Sequence, residues 1–208
     1  MFFDIKLMAH MLIWMTCLIY FGALLPQAFL NQKLKSVSGI SDWMLLGALV
    51  GYLGESYYAL CLDLPSGYKV MLPLGLVVII FMFFQKFYYC GISSNKMVFY
   101  GFISIISLAL VCLPITFKNI FFVGNIAGWI GAAMWSTYKL PQVFRLYKLK
   151  SVKGFSFLFV ITLMGGALLE LLAVFTLNLP TQTAFNAVYS VCINSILLLQ
   201  FIFYRRVA

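Results

Sequence analysis

The sequence reads LPQAFLNQKLKSVSGIS at residues 25–41 and LPQVFRLYKLKSVKGFS at residues 140–156. The two stretches align without a gap at an offset of 115 positions, with 11 of 17 residues identical. Chance does not produce that in one short chain, so the chain contains a duplication. The offset joins Pro26 to Pro141, Gln27 to Gln142, Lys35 to Lys150, Ser36 to Ser151, Gly39 to Gly154 and Ser41 to Ser156. It keeps working outside the motif, pairing Trp14 with Trp129, Gly51 with Gly166, Glu55 with Glu170, Pro65 with Pro180 and Gln85 with Gln200. The duplicated unit is therefore long enough for three helices.

Composition sets the solvent. Of 208 residues, 64% are hydrophobic and 9% charged, and mean hydropathy is +1.03, which is too little polar surface to clothe a water-soluble globule. A bilayer span needs roughly 20 apolar residues. Seven stretches qualify, at residues 11–30, 43–62, 70–89, 97–117, 120–144, 155–177 and 183–204. The net charge of +9 does not mark a nucleic-acid binder, because the basic residues are dispersed in short connectors. The five cysteines stand singly and His10 is the one histidine, so neither a metal cluster nor a His-based catalytic dyad can be assembled. Without a nucleophile and its base, a catalytic carboxylate pair or a bound cofactor in view, the reading is a non-enzyme with no cofactor.

Alternate connectors give the orientation. Lys33, Lys35, Lys86, Lys96, Arg145, Lys148, Lys150, Lys153, Arg205 and Arg206 fall on one side, against Lys6, Lys69 and Lys118 on the other. By the positive-inside rule both motif copies and the C-terminus face the cytoplasm, with the N-terminus outside or lumenal. A three-helix unit ends on the face opposite its start, so one extra crossing must intervene if both motifs lie on the same side. The expected plan is an all-α membrane protein of seven transmembrane helices, two parallel triple-helix bundles joined by a linker helix. Its divisions are residues 1–92, 93–118 and 119–208, with one Pro-Gln motif in each bundle. Parallel repeats about an axis along the membrane normal place a solute site between the halves, near the midplane.

Pro-Gln followed by Asn31, Lys35, Ser36, Gly39 and Ser41 resembles the PQ-loop family, which includes cystinosin and the lysosomal cationic amino acid exporters and is related to the SWEET sugar carriers. The resemblance covers nearly the whole chain. It implies two triple-helix bundles, alternating access around a central site, and in many members a driving proton. The second copy departs from the cystinosin-like pattern at Leu146, where that pattern has Asn, and at Thr162, which takes the place of a membrane Asp ahead of Gly165 and Gly166. Those departures set cystine aside, and differences from the SWEET motif put sugar second to an amino acid.

Several residues could carry the mechanism. Pro26 and Pro141 interrupt the helical hydrogen-bond ladder and would act as hinges, with Gln27 and Gln142 bonding to the freed backbone carbonyls; a static kink is the other use. Glu55 and Glu170 are the acidic residues deep within predicted spans, each past the midplane at roughly 20 Å of helical rise. They read as proton-coupling groups, or else as interhelical hydrogen-bonding groups. Lys139 would either meet a solute carboxylate or snorkel to the cytoplasmic edge, the latter being the commoner behaviour. Tyr138, Trp135, Asn125, Asn186 and Asn194 complete the substrate-binding candidates, while Asp42 and Asp63, at helix ends, read as caps or as groups solvated at the interface. The partners expected are a lipid bilayer, a small polar solute and protons. The leading function is an amino acid carrier; a SWEET-like sugar facilitator and a receptor or scaffold of the same architecture are the alternatives. The absence of a long glycosylated lumenal segment favours a bacterial plasma membrane over a lysosomal one.

Overall fold

The computed structural model describes the backbone of residues 5–177 and 181–204, and the side chains of residues 11–173, 175, 176 and 185–204. Arg205, Arg206 and Pro180 lie outside the described residues, as do the side chains of Lys6, His10 and Thr183. The helices are α1 (Ile5–Leu34), α2 (Asp42–Cys61), α3 (Ser66–Cys90), α4 (Lys96–Lys118), α5 (Ile120–Thr137), α6 (Leu140–Leu149), α7 (Phe157–Leu177) and α8 (Thr181–Tyr204). In hydrocarbon an α-helix satisfies every interior backbone group by itself, so a chain this apolar has little alternative. Among the described residues, six spans are long and apolar enough to cross a bilayer, α5 and α6 together forming one of them, and α7 contributes the shorter apolar stretch Phe157–Ala173.

The two motif prolines, expected alike to interrupt their helices, differ in the structure, and the fifth span is the one that breaks. It is broken at Tyr138 and Lys139, so α6 starts with Pro141 at its second position. Proline lacks the amide that would bond to the carbonyl four residues earlier, and the chain turns there. Pro26 has the same chemistry, yet α1 runs through it as one 30-residue helix. One lost bond in so long a ladder is spanned by its neighbours, so Pro26 does not interrupt the helix as expected from the sequence.

Each triple is folded so that its third helix lies between the first two. Helix α3 packs against both α1 and α2, while α8 packs against α7 and against α5 and α6. The halves meet along two seams, α1 on α7 and α2 on α5. Helices α1, α3, α2, α5 with α6, α8 and α7 thus close a ring, and α4 sits outside it against α2 and α5. Helix α4 buries only Val98 and Thr116 among its residues, which suits a linker with lipid on most sides. The first Phe of each motif copy also faces outward, Phe29 at 71% and Phe144 at 68% exposed.

Equivalent turns end the two motif helices. Lys35 and Lys150, 115 positions apart, both adopt the left-handed conformation, with φ of 48° and 49°. A non-glycine residue there terminates a helix by turning the chain back. In each copy the chain then enters a short loop that crosses to the other half.

Candidate functional site

The two loops meet at the pseudo-twofold axis. A Cβ on Gly154 would lie 2.9 Å from Gly39 Cα, and one on Gly39 would collide with the Gly154 carbonyl. Gly154 also has φ of 77°, so only glycine suits that position. Each motif glutamine then grips the opposite loop. Gln27 Nε2 donates to Gly154 O at 3.2 Å and Gln27 Oε1 accepts from Ser156 N at 2.8 Å. Gln142 Nε2 donates to Gly39 O at 3.1 Å and Gln142 Oε1 accepts from Ser41 N at 2.6 Å. Both glutamines are fully buried. A carboxamide has the donor and acceptor spacing of a peptide unit, so each one pairs with backbone as an adjacent strand would. The glutamines thus do not cap carbonyls freed in their own helices, as the sequence led us to expect. They tie one half to the other.

The first half carries the network further. Gln27 Nε2 also donates to Asn31 Oδ1 at 3.0 Å, Asn31 Nδ2 to Gln85 Oε1 at 3.2 Å, and Gln85 Nε2 to Ala28 O at 3.0 Å. In the second half Gln200 Nε2 repeats the last bond, to Val143 O at 2.9 Å. There Leu146 stands where Asn31 stands in the first half, and Gln200 Oε1 is buried without a partner. One substitution accounts for the orphaned atom.

Beyond this closure lies a cavity of about 220 Å³ at the centre of the ring. It runs from Gln27 and Ile40 at the motif end to Leu64 and Pro65, in the connector between α2 and α3. Glu55, Glu170, Lys139, Tyr138, Trp135 and Asn186 all line it. Of the sequence-derived candidates, these six are brought together. Asn194 stands behind them, fully buried, and accepts from Lys139 Nζ at 3.0 Å. Lys139 itself is only 3% exposed, so it does not snorkel; it points inward because Asn194 holds it there. Asn125 is a miss: it is exposed on the outer surface of α5, and its amide donates to Phe121 O at 3.0 Å. A polar side chain on a lipid-facing helix can satisfy itself one turn back, and the sequence pattern does not distinguish this from a cavity position. Thr162 likewise bonds to Leu158 O at 2.7 Å.

The two glutamates are equivalent by position but not by partner. Tyr20 donates its hydroxyl to Glu170 Oε2 at 2.5 Å. The residue 115 positions after Tyr20 is Trp135, which packs its ring against Tyr52 and Tyr138 instead of bonding to Glu55, and among the described residues Glu55 has no hydrogen-bond partner. Gly131 makes room for it, since a Cβ there would lie 2.9 Å from Glu55 Cγ. Tyr20 and Trp135 occupy matching niches, packed over Gly166 and Gly51 respectively. Trp135 also meets Tyr52 and Tyr138 edge-on, with ring centroids 4.9 and 5.2 Å apart. Sequence reasoning missed Tyr20, Tyr52, Tyr58 and Tyr68 as lining residues; the pairing of Tyr20 with Trp135 under the repeat was the one signal that could have found any of them. Asp42 and Asp63, expected as caps or solvated groups, form ion pairs: with Lys86 at 2.6 Å and with Lys69 at 2.5 Å.

A family model described as PQ loop repeat matches residues 8–68 and, a second time, residues 123–183. The chain belongs to the PQ-loop repeat family. Both matches contain one Pro-Gln motif and its crossing loop, so the family's repeat is the unit that builds the closure described above. Among solved structures, this PQ-loop protein is similar to a eukaryotic SWEET transporter determined at 3.7 Å resolution. The TM-score is 0.62, covering 92% of this chain and 99% of that chain at 13% identity. A likeness at that identity speaks for the fold: two triple-helix bundles and a linker helix. A comparison with curated proteins finds no match.

Proposed function

We propose that this PQ-loop membrane transporter moves an amino acid or similar zwitterion through its central cavity by alternating access. The observation that carries the reading is the set of charges on the cavity wall: Glu55, Glu170 and Lys139 face one space lined otherwise by aromatic and aliphatic side chains. Charges kept in a membrane interior are costly and are retained for a task. Asn194 occupies one of the three ammonium protons of Lys139, leaving two to receive a solute carboxylate. Glu55, which Tyr20 does not serve, is the acceptor for the solute amine, in a cavity that Tyr58 and Trp135 also line, aromatic rings whose faces attract a cation. Glu55 is also the group through which a proton would couple to the solute, while Glu170 with Tyr20 positions the wall opposite.

In this reading the motif end faces the cytoplasm and the N-terminus faces outward, following the excess of Lys and Arg near the motif loops, and the bacterial plasma membrane is the favoured setting. Movement of the halves about Pro26 and Pro141 would exchange the two access states. A sugar needs no ionised wall, and its recognition would rest on the aromatic rings and on neutral groups such as Asn186 and the tyrosine hydroxyls. Thermal unfolding of the purified protein in detergent, screened against the amino acids and common hexoses and disaccharides, separates the two. Stabilisation by an amino acid that fails when either its amine or its carboxylate is blocked supports the zwitterion. Stabilisation by sugars alone overturns it.

A further inference from the structure

The repeat predicts equivalent corners in the two halves, and one corner breaks the equivalence. At the start of α7, Phe157 packs on Phe201 with ring centroids 5.5 Å apart, and Leu30 is the third member by the offset of 115. The matching positions at the start of α2 are Asp42, Lys86 and Arg145. Three apolar residues suffice to build this corner, so the fold does not require charges there. The caps differ in the same way. Ser156 Oγ accepts from Phe159 N at 3.2 Å and closes the first turn of α7, whereas Ser41, only 7% exposed, leaves α2 without a side-chain cap. Among the described residues, the Ser41 hydroxyl has no partner.

These residues surround a crevice, separate from the central cavity, at the motif end of the molecule. Ser38, Ser41, Asp42, Lys86 and Arg145 line it, and Trp43 and Met97 stand at its lipid-facing side, 59% and 53% exposed. Lys86 is 4% exposed and is bonded to Asp42 at 2.6 Å. Arg145 reaches across from α6 and donates to Ser38 O. Two cations against one carboxylate leave a single positive charge, next to an uncapped helix N-terminus and the hydroxyl of Ser41, which lines the crevice. That combination of donors is the chemistry of an oxyanion with one negative charge.

We infer that this crevice is a binding site for a phosphate oxyanion, with the headgroup of an anionic phospholipid as the occupant that the membrane-facing mouth admits. Basic pockets between transmembrane helices on the cytoplasmic side hold such headgroups. Arg145 belongs to the second half of the molecule and Lys86, Ser38 and Ser41 to the first, so the ligand spans the seam between them beside the loops that close the motif end. Lipid bound there favours the closed arrangement.

The test is thermal unfolding of the full-length protein in detergent, titrated with phosphatidylglycerol, phosphatidylcholine or inorganic phosphate. Phosphatidylglycerol raises the unfolding temperature and phosphatidylcholine at the same concentration does not. In Arg145→Gln the apparent affinity for phosphatidylglycerol falls roughly tenfold or more, as expected for a lost charged hydrogen-bond partner, while Lys153→Gln, away from the crevice, leaves it unchanged. Should Arg145→Gln fail to fold, the triple change Asp42→Phe, Lys86→Phe and Arg145→Leu, which copies the other corner, removes the response instead. An Arg145-dependent response to inorganic phosphate supports the oxyanion site and assigns it a soluble phosphate ester. Equal stabilisation by phosphatidylcholine, or a phosphatidylglycerol response that survives both variants, overturns the inference.

Discussion

Replacing Gln27 by Ala removes two hydrogen bonds that the first half makes to the loop of the second, to Gly154 O and Ser156 N. At a net contribution of about 1 kcal/mol each, the closed motif end loses about 2 kcal/mol relative to an open one in which water serves the same backbone groups. That corresponds to a roughly 30-fold rise in the open population. The reporter is Ile40→Cys in a background where Cys17, Cys61, Cys90, Cys112 and Cys192 are replaced. Ile40 is 4% exposed and lines the cavity just behind the crossed loops. Its alkylation by a membrane-impermeant maleimide applied from the motif side should accelerate by a comparable factor, because rapid opening makes the rate follow the open fraction. Gln142→Ala should do the same, through Gly39 O and Ser41 N. Gln27→Glu should not rescue closure, since a carboxylate oxygen would face the Gly154 carbonyl where an amide donates now. Labelling rates within about twofold of the parent in both alanine variants would refute the idea that these side chains hold the motif end shut.

Asn31→Leu should destabilise the protein by about 1–3 kcal/mol in a chemical unfolding series, because it strands Gln85 Oε1 as Leu146 already strands Gln200 Oε1. Leu146→Asn, which supplies the missing donor, should cost far less than the ~2–5 kcal/mol typical of truncating a buried leucine, and a loss at the upper end of that range would contradict the pairing of the two sites. Gly39→Ala should disrupt the loop crossing, since its new methyl group meets the Gly154 backbone; faster cavity labelling or failure to fold is expected, and parent-like behaviour in both assays would be inconsistent with the close approach. The Lys69 ammonium hydrogen-bonded to Asp63 holds that carboxyl below its ordinary value. Because the folded value is the lower one, the contribution is present at neutral pH and is lost as pH falls through it. A carbon-13 NMR titration of Asp63 should shift upward in Lys69→Ala, and no shift would contradict the pair.

The spans were legible because bilayer thickness imposes a length on any crossing helix, and apolar runs of that length are hard to mistake. The duplication was legible because the offset of 115 aligns polar landmarks as well as apolar ones, and the parallel arrangement because Lys and Arg gather on the same side as both motif copies. The glutamine exchange was not. A buried carboxamide must find partners, but nothing in the order of residues indicates that Gln27 finds them more than a hundred positions away rather than within its own helix. The same limit explains Lys139, whose inward orientation depends on Asn194 on another helix, and Asn125, whose outward orientation depends on which side of α5 meets lipid. The difference between Glu55 and Glu170 was half visible. The repeat made them equivalent, and only the substitution of Trp135 for Tyr20 at matching positions showed that their surroundings had diverged.

Uptake of radiolabelled amino acids and sugars into proteoliposomes containing the purified protein, compared with Glu55→Gln and Lys139→Met, tests the charged cavity most directly. Saturable uptake of an amino acid that drops at least tenfold in both variants, while Asn125→Ala matches the parent, is the expected result. Amino acid uptake that is indifferent to both substitutions, or saturable flux confined to sugars, would contradict it.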